Sequence, residues 1–556
     1  MKLTTFLNNW MKAIPHSKKT LLFASVAGIV SGIGSTMLMA VISQALSRNG
    51  SGIRRLVWEF VGLVLLTFLL NVSSQALMLR LNIKAVLNLR MRLCRQLLST
   101  PLRRLEETGL HRFLGTLTED IPTITSTLGI IPGLCTSTAT LSAFLIYLGW
   151  LSLTGLLVLT VAVSFGVVVY LVIVRKAKRF TKLAREEWDS LLKGYRALTD
   201  GVKELKLHQQ RRTDFLSQDL DHTSLTLARY RKTESMIYLV AGNWSPVFCF
   251  TLIGVMVFGL PHLKGIDPQI LIVFTFGILF LIGPIGSLLG VYPAITRAKI
   301  AMGKIEQLGL LATDQMPDEY ETPLPDAIHS WTHLELKGIC HSYFLEHEGR
   351  SFMLGPIDIE LERGELIFII GGNGCGKTTL VKLLTGLYIP EAGEVYFNNE
   401  LINDDNRDYY RQHFSVVFSD FYLFEKLFGL CSEELDELGR TYLSELKLSH
   451  KVRIENGKLS SIELSQGQRK RLALLTAFLE DRPIYIFDEW AADQDPVFKD
   501  IFYLHLLGEL KARGKTIIVI SHDDRYYHLA DRVIKLDLGR IVSSRYVSSE
   551  ASHPAK

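Results

Sequence analysis

Gly371-Gly372-Asn373-Gly374-Cys375-Gly376-Lys377-Thr378 has the form GxxxxGK[ST], and its neighbours decide how it is read. Leu366-Ile367-Phe368-Ile369-Ile370 before it reads as a buried strand, and Thr379–Leu384 after it as a helix. Strand, glycine-rich turn and helix in that order make the setting in which such a loop holds phosphate. The glycines let backbone N–H groups approach phosphate oxygens, and the helix N-terminus adds a positive partial charge. Lys377 is placed to reach β- and γ-phosphates, and the Thr378 hydroxyl to ligate Mg²⁺. From Trp331 onward strand-like and helical runs alternate, which predicts an α/β domain with a partly parallel sheet over 331–556.

About 110 residues further on, Ile484-Tyr485-Ile486-Phe487 is a second apolar strand and ends in Asp488-Glu489. A carboxylate at such a strand end suits a second Mg²⁺ ligand, here Asp488. Glu489 beside it is placed to polarise an attacking water.

Upstream the sequence changes character. The whole chain of 556 residues is 48% hydrophobic and 21% charged, with a net charge of +5. Up to Thr296 there are 31 Lys+Arg against 15 Asp+Glu; from Arg297 the balance is 30 against 41. Thr20–Ser47, Phe60–Leu79, Ile121–Val174, Ser235–Leu263 and Pro268–Thr296 carry no charged residue. A membrane-spanning helix needs about 20 mostly apolar residues. Four runs fit one helix each, and Ile121–Val174 fits two that turn near Gly149–Ser152, which makes six spans. The uncharged runs exclude a purely soluble protein, and the composition excludes a disordered chain, collagen and a disulfide scaffold. Cys94, Cys135, Cys249, Cys340, Cys375 and Cys431 are scattered, and no Cys or His pattern suggests a metal site.

With the N-terminus inside, segments 1–19, 80–120 and 175–234 carry 27 basic residues, whereas the outer loops carry Arg48, Arg54, Arg55 and Lys264. That bias predicts cytoplasmic termini. The first apolar run reads as a retained helix rather than a cleaved signal. Leu87, Leu89, Leu93 and Leu97, then Leu183, Leu191, Leu192 and Leu198, predict that helices continue through the inner loops. The basic loops suit contact with anionic lipid and, equally, with the acidic C-terminal part. Thr67, Asn71 and Gln75 share one helical face, either as cavity lining or as interhelical hydrogen-bonding groups. Asn243 and Trp244 carry the same two readings, and Gly283, Pro246 and Pro284 either soften helices that must bend or are simply tolerated.

Between the two nucleotide motifs lies Leu464-Ser465-Gln466-Gly467-Gln468. It resembles the signature of ABC transporter ATPases, usually Leu-Ser-Gly-Gly-Gln. The order and spacing of the other motifs agree with that resemblance, which covers nearly the whole chain as a half-transporter with its membrane part first. The resemblance implies that Ser465, Gly467 and Gln468 cap the γ-phosphate of ATP bound to a second subunit. It matches His522 to the switch histidine, Asp495 to the D-loop aspartate and Tyr343 to the aromatic stacked on adenine. Catalytic roles fall to Glu489, His522 and Lys377, ATP contacts to Gly371–Thr379, and Mg²⁺ contacts to Thr378, Asp488 and Ser419.

A narrower likeness rests on Ile370–Gly374, on Asp488-Glu489-Trp490-Ala491-Ala492-Asp493-Gln494-Asp495-Pro496 and on Ser521-His522-Asp523-Asp524. Lys203-Glu204-Leu205-Lys206-Leu207 matches the coupling region of the same group. These resemble the bacterial exporters of cyclic peptides and peptide siderophores, the pyoverdine-, syringomycin- and microcin-type group. The implied arrangement is a membrane domain over 1–300, a linker over 301–330 and a nucleotide-binding domain over 331–556. The implied function is ATP-driven export of a peptide-like compound by a homodimer in the bacterial inner membrane, with no nucleic-acid partner. Import of a siderophore-like compound on the same fold, or multidrug or lipid export, are alternatives; an ATP-binding regulatory module is disfavoured by Glu489 and His522. A peptidase-bearing exporter is not expected, since no soluble domain precedes the first span. Gly115–Asp120 and His208–Phe215 are candidates for carrying ATPase motion to the spans.

Two departures stand out. Val416-Val417-Phe418-Ser419-Asp420 has serine where the family usually has a glutamine that senses Mg²⁺ and the membrane domain. Only about 44 residues separate Asp420 from Leu464, which implies a short helical subdomain. Both put coupling to transport, rather than hydrolysis, in question.

Overall fold

A computed structural model describes residues 17–47, 53–259, 268–307, 331–345, 350–430 and 432–547. The chain divides into two compact units. One comprises Met1–Thr100 and Leu105–Met316, the other Pro101–Arg104 and Pro317–Lys556.

The first unit is helical, with six helices long and apolar enough to cross a membrane. They are built on α1 (Ser17–Ser47), α2 (Ile53–Ser99), α3 (Ile131–Leu151), α4 (Leu153–Asp200), α5 (His222–Gly254) and α6 (Pro268–Gln307). α3 and α4 break at Ser152, which is extended and whose Oγ accepts the Gly155 N–H at 3.2 Å. The turn therefore falls where the sequence places it. The inner-loop segments are helical too: α2 runs to Ser99 and α4 to Asp200, with Leu89, Leu93 and Leu191 buried and Leu87 and Leu192 exposed. α6 continues to Gln307, so residues 301–307 of the expected linker are the end of a helix. Residues 308–330, including the acidic stretch of the linker, lie outside the described residues.

Small residues set how closely these helices pack. A methyl group on Gly32 would sit 2.5 Å from the Thr136 carbonyl oxygen, and one on Gly28 2.8 Å from the Thr136 hydroxyl. Around them hydroxyls bridge helices: Ser74 Oγ donates to the Ala24 carbonyl at 2.6 Å, and Thr36 Oγ1 to the Thr140 carbonyl at 3.2 Å. Close backbones with donated hydroxyls are how helices associate where hydrocarbon removes the hydrophobic drive. Thr67 belongs to this packing, since Ser31 Oγ donates to its carbonyl at 3.2 Å. Asn71 and Gln75 are exposed and bond each other at 3.0 Å. Trp244 Nε1 donates to the Gly166 carbonyl at 3.2 Å, joining α5 to α4. Charges gather at Arg185, which pairs with Glu119 and with Asp120 (2.7 Å to the latter), and at the Lys304–Asp189 pair. Gly115 precedes a single π-helical turn, Thr116–Asp120, and His208 is an extended residue between two short helices.

The second unit contains two main sheets. Strands β1 (His333–Leu345), β2 (Arg350–Glu362), β4 (Ala392–Phe397) and β5 (Glu400–Leu401) form an antiparallel sheet in the order β2-β1-β4-β5. The six-stranded sheet uses β3 (Leu366–Ile370), β6 (Phe414–Val417), β9 (Ile484–Asp488), β10 (Thr516–Ile520), β11 (Arg532–Asp537) and β12 (Arg540–Tyr546), in the order β12-β11-β3-β10-β9-β6. Its pairings from β6 to β11 are parallel and the β12 edge is antiparallel. A small hairpin, β7 (Ile454–Glu455) and β8 (Lys458–Leu459), lies between β6 and β9 in sequence.

β9 and β10 are buried at every position and β3 at all but its last, as unbroken runs of Ile, Leu, Val and Phe demand of strands covered on both faces. One cluster packs Phe368, Phe487 and Val519 against Leu472, Leu475 and Phe502; another packs Ile367, Ile369 and Ile518 against Leu380, Leu383 and Ile357. α7 (Lys377–Leu384) and α9 (Gln466–Glu480) supply much of that cover. Between β6 and α9 the helical part is short, chiefly α8 (Glu433–Glu445), as the residue count implies.

Candidate active site

β9, β10 and β3 lie side by side, so their carboxyl ends bring three segments together: Asp488-Glu489, Ser521-His522 and the loop 371–376. In parallel sheets ligands bind beyond the carboxyl ends of the strands. The loop is an arch whose shape only glycine permits at its ends. Gly371, Gly374 and Gly376 all have positive φ, and a side chain on Gly371 would collide with the Leu536 carbonyl. Gly372, Asn373 and Gly374 are exposed at the crown, whereas Cys375 is buried beneath it. Gly376 caps α7, whose first residues are Lys377, Thr378 and Thr379.

Lys377 is buried, and its Nζ donates to the Gly371 and Gly372 carbonyls at 3.1 Å each. The same nitrogen lies 3.1 Å from His522 Nε2 and 3.7 Å from Glu489 Oε1. His522 Nε2 is in turn 3.1 Å from Glu489 Oε1. Cation, imidazole and carboxylate thus share one spot, with His522 and Glu489 still open to solvent.

Thr378 Oγ1 donates to Asp488 Oδ2 at 2.9 Å. Asp488 is fully buried, and its Oδ1 has no hydrogen-bond partner among the described residues. Burial pushes this carboxyl above the usual carboxylate range, helped by the charges of Glu489 and Asp420 and opposed by Thr378 and Lys377. A buried carboxylate with one oxygen unsatisfied beside a hydroxyl is the hard oxygen donor set that Mg²⁺ takes. The residues fit the ion. Ser419 is exposed beyond β6, and it is Asp420 next to it whose charge Asp488 feels.

Glu489 has φ +50°, in the left-handed region that side chains rarely adopt. Its N–H donates to the Ile520 carbonyl at 3.1 Å. Trp490, at the unusual position after it, is fully buried, with its ring 4.3 Å from that of Phe502 and its Nε1 donating to the Lys470 carbonyl at 2.7 Å. The departure from the usual motif therefore packs the core.

The signature stretch opens α9, with Ser465 as its cap; Ser465 N–H donates to Gln468 Oε1 at 3.4 Å, and Lys451 Nζ donates to the same oxygen at 3.2 Å. Ser465 and Gln468 line an open cleft of about 410 Å³ with Lys451 and Glu463. Asp495 accepts the Phe498 N–H at 2.9 Å and Arg471 Nη2 at 2.7 Å, which holds its carboxyl below the ordinary range. Tyr343 sits on β1 opposite Phe352; its side chain lies outside the described residues. One chain thus assembles Lys377, Thr378, Asp488, Glu489 and His522.

Lys470 was missed in the sequence, where Asp493 and Gln494 stood out only as part of a motif, without a role. Lys470 Nζ donates to the Glu489 carbonyl at 3.0 Å and pairs with Asp493 at 2.7 Å, and Gln494 Nε2 donates to the Gly467 carbonyl at 3.0 Å. Within Arg469-Lys470-Arg471 nothing local separates a buried cation from a solvated one.

A family model described as ABC transporter matches residues 354–492. The ATP-binding protein SyrD of Pseudomonas syringae is 37% identical over 529 residues, which cover 94% of this chain and 93% of that one. An ATP-dependent lipid A-core flippase of Alkalilimnicola ehrlichii is 27% identical over 73% of this chain and 69% of its own. A solved bacterial Atm1-family ABC exporter with ATP bound has the same fold, with a TM-score of 0.76 at 17% identity over 96% of both chains. The chain belongs to the ABC transporter family: a membrane domain fused to an ATP-binding domain whose hydrolysis of ATP is coupled to transport.

Proposed function

We propose that the protein is an exporter of a cyclic peptide, siderophore precursor or similar peptide-like compound, working as a homodimer in the bacterial inner membrane. The observation that carries the hydrolytic part is the meeting of Lys377, His522 and Glu489 within 3.7 Å beside the Thr378–Asp488 pair. The resemblance of Asp488–Pro496 and Ser521–Asp524 to the peptide-exporting group supports the peptide-like cargo, and the likeness to SyrD extends over nearly the whole chain. The domain limits proposed are 1–300, 301–330 and 331–556.

In this reading the amides of Gly371–Thr379 and the Lys377 ammonium hold the phosphates, and Tyr343 stacks on adenine. Thr378 and Asp488 hold Mg²⁺, with Ser419 as a further candidate on the side of the missing glutamine. The ion, when bound, neutralises charge that develops on the phosphates. Glu489 accepts a proton from the water that attacks the γ-phosphorus as the bond to the ADP oxygen breaks, and His522 holds the carboxylate and the γ-phosphate in line. The left-handed backbone at Glu489 aims its carboxylate toward Lys377. Ser465, Gly467 and Gln468 of the second subunit, with Asp495, close over the nucleotide. Cleavage removes the charge that holds the sandwich closed, and segments 115–120 and 208–215 pass the opening to the spans as alternating access.

Transport direction tests the reading. Inside-out vesicles containing the full chain are expected to accumulate a labelled cyclic lipopeptide or peptide siderophore when ATP is added outside. Accumulation only in right-side-out vesicles loaded with ATP would overturn it in favour of import.

A further inference from the structure

Glu489 is held at both ends of its own peptide units. Ile520 accepts its N–H, and Lys470 Nζ donates to its carbonyl. Lys470 is an unusual group to find there, because its side chain is only 4% exposed. A buried ammonium is costly unless its protons are placed. Two are: one on the Glu489 carbonyl, the other on Asp493, a carboxylate half open to solvent. The aliphatic stem lies on α9, and the Trp490 indole N–H donates to the carbonyl of the same lysine. Lys470 therefore donates to the Glu489 carbonyl and accepts, at its own carbonyl, from the residue that follows Glu489. Alongside, Arg471 Nε donates to Gln494 Oε1 at 2.9 Å, and Gln494 passes its own N–H to the Gly467 carbonyl. A methyl group on Gly467 would stand 2.9 Å from the Asp493 carbonyl, so the two segments are in backbone contact.

We propose that Lys470 is a positioning residue for hydrolysis. It clamps the left-handed backbone of Glu489, so that the carboxylate faces His522 and Lys377, and it ties that backbone to the Ser465–Gln468 turn of the same chain. A left-handed non-glycine residue relaxes unless its surroundings over-determine it. Removing the ammonium frees the Glu489 carbonyl and lets the carboxylate drift from the reaction line. Movement of the Ser465–Gln468 turn as it closes on a nucleotide reaches Glu489 through Gln494, Asp493 and Lys470. The inference rests on the proposed role of Glu489 as base.

The test is a double-mutant cycle on the full-length protein in detergent or nanodiscs, with Lys470→Met, Glu489→Gln and the pair. Met keeps the stem and removes the ammonium, and Asp493 is exposed enough to stay hydrated. The expected result is a fall in kcat of about ten- to hundredfold for Lys470→Met, with KM for MgATP within twofold. In the Glu489→Gln background, read by single turnover of radiolabelled ATP, Lys470→Met should make no further difference. An equal loss in both backgrounds, or no loss in the first, overturns the proposal. If Lys470→Met does not fold, Asp493→Asn with Gln494→Leu cuts the link on its other side and must show the same dependence on Glu489. Glu489→Gln alone leaving turnover unchanged would sink the underlying assignment instead, which keeps the two failures apart.

Discussion

In the membrane unit Ser31, Thr36, Ser74 and Thr140 are buried, and every one of their hydroxyls donates to a backbone carbonyl of its own or a neighbouring helix. In the ATPase unit Lys377, Lys470 and Asp488 are buried as ionisable groups, and Asp488 keeps one oxygen without a partner. The first set is neutral and satisfied, and it fixes how closely helices pack. In the second the two ammonium groups are paired within the fold, but Asp488 keeps an oxygen that folding alone does not satisfy and that a bound cation would complete. The contrast separates polarity used for packing from polarity kept for chemistry, and substitutions can break it in either unit.

The largest effect is expected at Asp488. Asp488→Asn should lower Mg²⁺-dependent ATP turnover at least about a hundredfold. It should also raise the melting temperature of the nucleotide-free protein at neutral pH. The sign follows from the direction of the shift: the folded protein holds the Asp488 proton more tightly than the unfolded chain. Its contribution therefore favours folding at low pH and is lost as pH rises through the folded-state pKa, where burying the anion becomes a penalty. Asparagine removes the penalty and the ion together. Thermal scans across pH with and without MgATP check both halves; a lower melting temperature in the free variant would show that Asp488 is structural.

Trp490→Ala comes next. Losing a fully buried indole wedged against Phe502 and Phe498 costs about 3–5 kcal/mol, read by chemical denaturation of the ATPase unit within the full chain. In the membrane unit, Gly32→Val should cost about 1–3 kcal/mol by forcing α1 away from the Thr136 carbonyl. Its KM for MgATP should not change. A shifted KM would mean that packing and chemistry are not separable in the way the two units suggest.

How far these features were legible in the sequence follows from how local they are. The loop 371–378 and the pair Asp488-Glu489 declare themselves because strand, turn and helix are contiguous, and their neighbours are forced by sheet order. The uncharged runs locate the helices of the first unit, and the periodic leucines carry α2 on to Ser99 and α4 on to Asp200, because charged residues outside hydrocarbon are compatible with helix. The continuation of α6 to Gln307, past the expected linker start at 301, carries no such leucine signal. Lys470 was invisible, since a basic triplet looks solvated until Trp490 and Asp493, some twenty residues away, fold over it. Asp420 was overshadowed by Ser419, the visible departure from a familiar pattern, although only the fold decides which of the two Asp488 senses.

The central claim is that Glu489, aimed by a left-handed backbone at Lys377 and His522, is the base for ATP hydrolysis. Steady-state turnover of purified full-length protein with Glu489→Gln tests it most directly. The expected result is a fall of at least about a hundredfold with MgATP binding retained; turnover equal to that of the unsubstituted protein would contradict it.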